Sequence, residues 1–193
     1  MIKAVIFDCF GVLVGRGFDD TYSYAGGDPE ADREFIHDIL AQASRGLISQ
    51  IDFREAIAAK LNISLEDWNK AVAACEQVNE ELIAQIKRIK PHYKTAILSN
   101  VNSGVLQRKI QPEILDKYFD VIVESAEVGF MKPDTQIYLH TAKQLGVRAD
   151  ECIFIDDNRW FVEAATSVGM HGIVYENFAQ MKRELTEVLS NKS

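Results

Sequence analysis

Ala4-Val5-Ile6-Phe7-Asp8-Cys9-Phe10-Gly11-Val12 is the stretch that decides the fold. Its first four residues are apolar without alternation, and the run stops on a carboxylate, Asp8. A strand with one wet face alternates polar and apolar residues. A strand buried on both faces reads as a continuous apolar run, as in a parallel sheet covered by helices. Four more short runs share this character: Ala96–Leu98, Val121–Val123, Cys152–Ile155 and Ile173–Tyr175.

Helical patterns separate the last four runs. Asp134 stands where a cap would, followed by Ile137, Tyr138, Ala142 and Leu145 on one face and closed by Gly146. Residues Arg159–Val168 repeat the arrangement and end at Gly169. Asn177 with Gln180 has capping-box spacing, and Phe178, Met181, Leu185, Val188 and Leu189 follow as a stripe. Strands alternating with helices predict an α/β fold with a doubly wound, Rossmann-like parallel sheet.

The interval between the first and second runs has no strand pattern. Residues 15–28, rich in Gly, Asp and Tyr, read as a mobile loop. Helical stripes follow: Phe35, Ile36, Ile39 and Leu40, then Phe53, Ile57 and Leu61, then Leu65, Trp68 and Val72. Ser49 with Asp52 and Ser64 with Asp67 mark two helix starts. The expected organisation is a core of residues 1–15 and 87–193 with a helical cap, residues 16–86, inserted after the first strand.

The 193 residues carry a net charge of -8, which disfavours general binding to nucleic acid or anionic membrane. Three cysteines, Cys9, Cys75 and Cys152, match no zinc spacing and suit a reduced, cytoplasmic setting. After Met1-Ile2-Lys3 only four apolar residues stand before Asp8, too few for a signal-peptide core, and no apolar run approaches membrane-spanning length. Oligomeric state leaves no mark in the sequence.

In open parallel sheets, ligands bind beyond the carboxyl ends of the strands. The polar residues at those ends are Asp8, Ser99-Asn100 and Asp156-Asp157, with Lys132-Pro133 in the loop after the third run. Taken singly, each has a plainer reading: a loop acid, a helix cap, a helix N-terminal acidic pair, a surface lysine. Together they suggest a phosphate site. Three converging carboxylates repel one another unless a divalent cation joins them, and oxygen donors suit magnesium. Ser99 and Lys132 can hold phosphate oxygens while an Asp attacks phosphorus in line. Cys9 reads as a small filler at a strand end.

These segments resemble the four motifs of the haloacid dehalogenase superfamily, in order: Phe7-Asp8-Cys9-Phe10-Gly11-Val12, Leu98-Ser99-Asn100, Lys132-Pro133-Asp134 and Ile155-Asp156-Asp157-Asn158. The likeness spans nearly the whole chain, and Gly46-Leu47-Ile48-Ser49 with Phe53 resembles its helical-cap branch. That branch includes bacterial sugar-1-phosphate phosphatases and the N-terminal domain of soluble epoxide hydrolase. The resemblance implies a phosphohydrolase of small phosphorylated metabolites that requires Mg2+ and forms an aspartyl-phosphate. It implies Asp8 as nucleophile, with Lys132 also catalytic; Ser99, Asn100 and Lys132 as substrate ligands; and Asp8, the Phe10 carbonyl, Asp156 and Asp157 around the metal.

Phe10 departs from the pattern. Phosphatases of the superfamily usually place a second Asp there as general acid/base, and Phe transfers no proton. Positioned proton transfer contributes roughly 10²–10⁴-fold in rate. Turnover is therefore expected to be slow, or confined to esters whose leaving group needs little protonation. Two rivals follow. A haloacid dehalogenase also carries an aromatic residue at this point, but typically lacks the Asp156-Asp157 pair. A non-catalytic member would bind a phosphometabolite or a partner. A receiver domain is excluded, because its acidic pair comes first in the chain.

Overall fold

In the computed structural model, which describes residues 1–15 and 17–190, five strands form one sheet. They are β1 (Ala4–Phe7), β2 (Lys94–Ser99), β3 (Val121–Glu124), β4 (Cys152–Asp156) and β5 (His171–Val174). All pairings are parallel, in the order β3-β2-β1-β4-β5, so β1 is central. The fifth strand begins two residues earlier than its apolar run and stops before Tyr175, whose backbone N–H donates to Asp156 O at 2.9 Å.

The unbroken apolar runs have a direct cause. Along β1, Val5 and Phe7 enter one apolar cluster while Ala4 and Ile6 enter another. β4 divides in the same way, Ile153 and Ile155 against Cys152 and Phe154. Each strand therefore buries both faces, which the period-two geometry of a strand requires when helices cover both sides.

The helices are α1 (Phe18–Tyr24), α2 (Arg33–Ser44), α3 (Gln50–Leu61), α4 (Leu65–Cys75), α5 (Glu80–Ile89), α6 (Leu106–Lys109), α7 (Pro112–Tyr118), α8 (Ser125–Val128), α9 (Thr135–Gln144), α10 (Arg159–Ser167) and α11 (Phe178–Ser190). α5, α7 and α11 cover one face through residues such as Ile86, Leu115 and Leu185. α9 and α10 cover the other through Ile137, Tyr138 and Val162. None of the described helices is long and apolar enough to cross a membrane.

Helices α1 to α4 have their own small core of Tyr22, Ile36, Ile39, Ile57, Trp68 and Val72. Ser49 and Asp52 form the reciprocal capping box at the start of α3, and the Ser64 hydroxyl accepts from the Asp67 N–H at the start of α4. The expected loop at 15–28 contains α1. Phe18 and Tyr22 lie one turn apart, and their rings pack at 5.8 Å; Phe18 also lies 6.1 Å from Trp68. Tyr22 is buried, and its hydroxyl donates to Asp32 at 2.8 Å. That tertiary burial outweighs the turn-rich composition. Arg16, the first residue of the expected cap, and residues 191–193 lie outside the described residues.

The expected cap boundary after residue 86 falls inside α5. Leu82, Ile83, Ile86 and Ile89 all lie in the cluster that holds Val5 and Phe7, so this helix packs on the sheet. The two ends of the helical insertion meet. Val14 pairs antiparallel with Val78, the Gly15 N–H donates to Gln77 O at 2.7 Å, and the Asn79 N–H donates to Leu13 O at 2.8 Å.

Candidate active site

The sheet register brings the acidic residues together. Phe7 pairs with Ile155, which sets Asp8 level with Asp156 at the carboxyl ends of the two central strands. The Asp8 N–H donates to Ile155 O at 2.8 Å and extends that pairing by one residue. Asp8, Asp156 and Asp157 each present a carboxylate oxygen within 4.8 Å of the others. Asp8 and Asp156 are buried, while Asp157 is exposed overall.

Lys132 enters between the two buried acids. Its Nζ lies 2.7 Å from Asp8 Oδ1 and 2.6 Å from Asp156 Oδ2, and its side chain is 1% exposed. The ammonium also sits over the rings of Phe161, at 5.1 Å, and Phe154, at 5.6 Å. Burial alone would lower the pKa of this lysine, but Asp156 and Asp8 hold it above the usual value. Lys132 is thus a fixed positive charge.

The acids are also shifted upward, but here burial is the cause and Lys132 opposes it. Burial pushes Asp8 up to about 7; Lys132 opposes this, and Asp156 and Asp157 add to it. Asp157 is pushed up to about 6, first by burial of its carboxyl and then by Asp156. That carboxyl lies against Gly11, which has a φ of +86°; a Cβ there would come within 2.1 Å of Asp157 Oδ2. Only glycine suits both the backbone conformation and the close approach.

Ser99 ends β2 and is buried. Asn100, expected as a substrate ligand, bonds the Lys132 backbone through its side-chain amide. Its Nδ2–H donates to Lys132 O and its Oδ1 accepts from the Lys132 N–H, both at 2.8 Å. The side chain acts on Lys132. Phe10 is half-buried in the turn after Asp8, with its ring against the core. Cys9 is fully buried and burial pushes its thiol up, as suits a filler.

Beside Phe10 and Asn100 lies a cavity of about 150 Å³ between the inserted helices and the core. Phe18, Phe53, Trp68 and Val72 close it from the insertion, and Asn102, Val105 and Lys109 close it from the core. Sequence reasoning missed Asn102 and Lys109. Both follow the Ser99-Asn100 motif in the chain, but no spacing rule sets them apart.

Known proteins share this fold. The family model for haloacid dehalogenase-like hydrolases matches residues 2–169. The chain is similar to the D-ribitol-5-phosphate phosphatase of Bacteroides thetaiotaomicron, with 25% identity over 206 residues covering 99% of this chain and 100% of the relative. Among solved structures, a predicted HAD-like family hydrolase from Porphyromonas gingivalis superposes with a TM-score of 0.77 at 25% identity, covering 98% of each chain. A HAD family enzyme from Bacteroides thetaiotaomicron, in complex with magnesium and inorganic phosphate, gives a TM-score of 0.71 at 20% identity and covers 94% of this chain and 99% of its own, a likeness of fold. With a parallel sheet that gathers Asp8, Lys132 and Asp156 at its carboxyl edge and a family match over most of its length, the chain belongs to the haloacid dehalogenase-like hydrolases.

Proposed function

We propose that this hydrolase is a magnesium-dependent phosphatase of small phosphorylated metabolites, working through an aspartyl-phosphate on Asp8. The observation that carries the reading is the convergence of Asp8, Asp156 and Asp157 within 4.8 Å, with the Lys132 ammonium paired to Asp8 and Asp156. The donor set fits a magnesium ion. It is made of carboxylate oxygens alone, from two buried residues and one exposed, and the raised values of Asp8 and Asp157, set first by burial and added to by Asp156, mark a penalty on ionisation that a hard cation would relieve. Asp8, Asp156, Asp157 and the Phe10 carbonyl would hold the ion. A bound magnesium supplies charge stabilisation to the phosphoryl oxygens during transfer.

The chain's own residues supply the rest. An Asp8 oxygen attacks phosphorus, and the ester P–O bond breaks with its electron pair leaving on the alcohol oxygen. Lys132 balances the phosphoryl charge, and the Ser99 hydroxyl donates to a phosphoryl oxygen. Water then attacks the phosphorus of the aspartyl-phosphate, releasing inorganic phosphate and freeing Asp8. Helices α1 to α4 act as a cap that excludes water during the first step. Phe10 gives the leaving group no proton, so turnover is slow for alkyl esters.

The D-ribitol-5-phosphate activity named for the Bacteroides relative supports a sugar-like phosphate as substrate class. Three buried free cysteines support a reduced, cytoplasmic location. The net charge of -8 supports a small-molecule partner over nucleic acid or membrane. Phosphate release should be measured across sugar, nucleotide and acyl phosphates. Activity that disappears with chelator, returns with magnesium and is lost in Asp8→Asn supports the proposal. Metal-independent release of halide from a 2-haloacid would overturn it in favour of a dehalogenase, the reading that Phe10 favours.

A further inference from the structure

The cavity between the inserted helices and the core carries more information than its position. Among the described residues, the buried side-chain polar atoms that make no hydrogen bond are Trp68 Nε1, Glu76 Oε2 and Asn102 Oδ1. All three residues line this one cavity. Glu76 Oε2 is neutralised by Lys109. Trp68 Nε1–H and Asn102 Oδ1 have no such partner, although Trp68 is 2% exposed and Asn102 7%. The orientation of the Asn102 amide is set by its Nδ2–H, which donates to Ile48 O at 3.1 Å, so the free atom is an acceptor. A buried donor and a buried acceptor left without partners are unfavourable, and their coincidence in one cavity points to a ligand that meets both.

The remaining walls restrict that ligand. Phe10, Phe18, Phe53 and Trp68 contribute aromatic surface, with Val72 and Val105 among the aliphatic residues. Two of the other polar side chains are turned to protein partners: the Ser44 hydroxyl donates to Asn100 O at 3.4 Å, and Arg54 Nη1 donates to Asn69 Oδ1 at 3.0 Å. A polyol placed here would bury several hydroxyls against walls that are largely aromatic and aliphatic. An apolar-walled cavity of about 150 Å³ holds a benzene-sized ring.

Phe10 adds a chemical argument. It stands two residues after Asp8, lines the cavity and supplies no proton. The leaving oxygen must then be a weak base. A phenolic oxygen, with a pKa of about 10 in the tyrosine side chain, is far less basic than an alkoxide. We infer that the cavity selects phosphomonoesters of a single aromatic ring bearing a hydroxyl group, with the ring between Phe10, Phe53 and Trp68 and the hydroxyl serving Trp68 Nε1 and Asn102 Oδ1. This rests on the phosphohydrolase reading and replaces its sugar-like substrate class with an aromatic one. The P–O bond breaks with its electron pair on the aryl oxygen, and the phenoxide takes a proton from water after release.

The test compares kcat/KM for acetyl phosphate, phenyl phosphate, 3- and 4-hydroxyphenyl phosphate and D-ribitol 5-phosphate, all with magnesium. The expected result is a hydroxyphenyl ester at least tenfold above ribitol 5-phosphate. Trp68→Phe, which keeps a ring and drops the N–H, should reduce the advantage of that ester over phenyl phosphate roughly three- to tenfold, the range of one neutral hydrogen bond. A binding measurement stands beside the rates. Trp160 is 64% exposed, so Trp160→Phe leaves Trp68 as the reporting tryptophan of this two-tryptophan chain. Its fluorescence should respond to the hydroxyphenyl ester and not to ribitol 5-phosphate. Acetyl phosphate has too small a leaving group to fill the cavity. Its hydrolysis without any preference for ring esters would overturn the aromatic assignment and leave the phosphatase reading standing. Failure to hydrolyse acetyl phosphate or any ester would overturn both.

Discussion

Asn100 and Lys132, 32 residues apart, are joined by two hydrogen bonds of 2.8 Å, side-chain amide to backbone in both directions. The amide imitates one rung of a strand pair and clips the loop after α8 to the end of β2. The Lys132 side chain can then reach under the sheet edge to Asp8 and Asp156. A lysine on a four-carbon stem has many rotamers, and fixing its backbone removes part of that freedom before any substrate arrives.

Replacing Lys132 with Met should remove the counter-charge of two buried acids. In chelator, loss of one side of a buried ionic cluster is expected to destabilise the fold by about 3–5 kcal/mol. Magnesium should recover much of the loss, because a ligand that binds the folded chain stabilises it by mass action. Urea unfolding with and without magnesium checks both statements. A variant equally unstable in both conditions would speak against a cation among the three acids.

Gly11→Ala should act through Asp157. The added Cβ would fall 2.1 Å from Oδ2, on a backbone with φ of +86°, so the carboxylate must move. Disturbing a group that positions a metal site typically weakens it by about 10–100-fold. The magnesium concentration for half-maximal activity should rise by about tenfold or more in a titration of phosphate release.

Phe10→Asp should restore a proton donor without altering the backbone carbonyl. Turnover of alkyl phosphates should rise more than that of acyl or aryl phosphates, up to about 10²-fold if the new carboxyl is well oriented. A leaving-group series on both proteins is the measurement. A flat series for the active unmodified chain would mean that another residue supplies the proton.

Asp120 gives the pH dependence. Its carboxylate accepts from the Thr95 N–H at 2.8 Å and pairs with Lys90 at 2.5 Å. Burial opposes ionisation, but these contacts hold its pKa below the usual carboxylate range. A depressed folded value means stability that is present above the unfolded pKa, about 3.9, and lost as pH falls through the lower folded value. Asp120→Asn should therefore lower the melting temperature at pH 7, and the gap to the unmodified chain should close below about pH 4. A gap that is constant with pH would assign the effect to packing.

The parts of this molecule that were legible in the sequence are those set by local rules. β1 was readable because both faces are buried, which leaves no alternation in Ala4–Phe7. The Ser49–Asp52 box was readable because its two partners are three residues apart. α1 was not, because its helix depends on Tyr22 meeting Trp68 and Asp32, contacts that no window of sequence contains. The family motifs marked Asp8, Ser99, Lys132 and Asp156, yet the partnership of Asn100 with the Lys132 backbone was hidden by the same separation that makes it useful. Trp68 read as one stripe residue among others, since a free indole N–H shows itself only when every neighbour is known.

The Val14–Val78 bridge, flanked by the Gly15 and Asn79 hydrogen bonds, has a consequence for how this chain could vary. Seen from the sheet, the whole helical insertion leaves and returns through one narrow doorway. Lengthening a loop between fixed ends adds only about 0.6 kcal/mol per doubling. The catalytic sheet is therefore nearly indifferent to what hangs beyond the doorway, while the cavity walls drawn from there are free to change. Such a construction lets selection rewrite which molecules are admitted while the chemistry at Asp8 is inherited untouched.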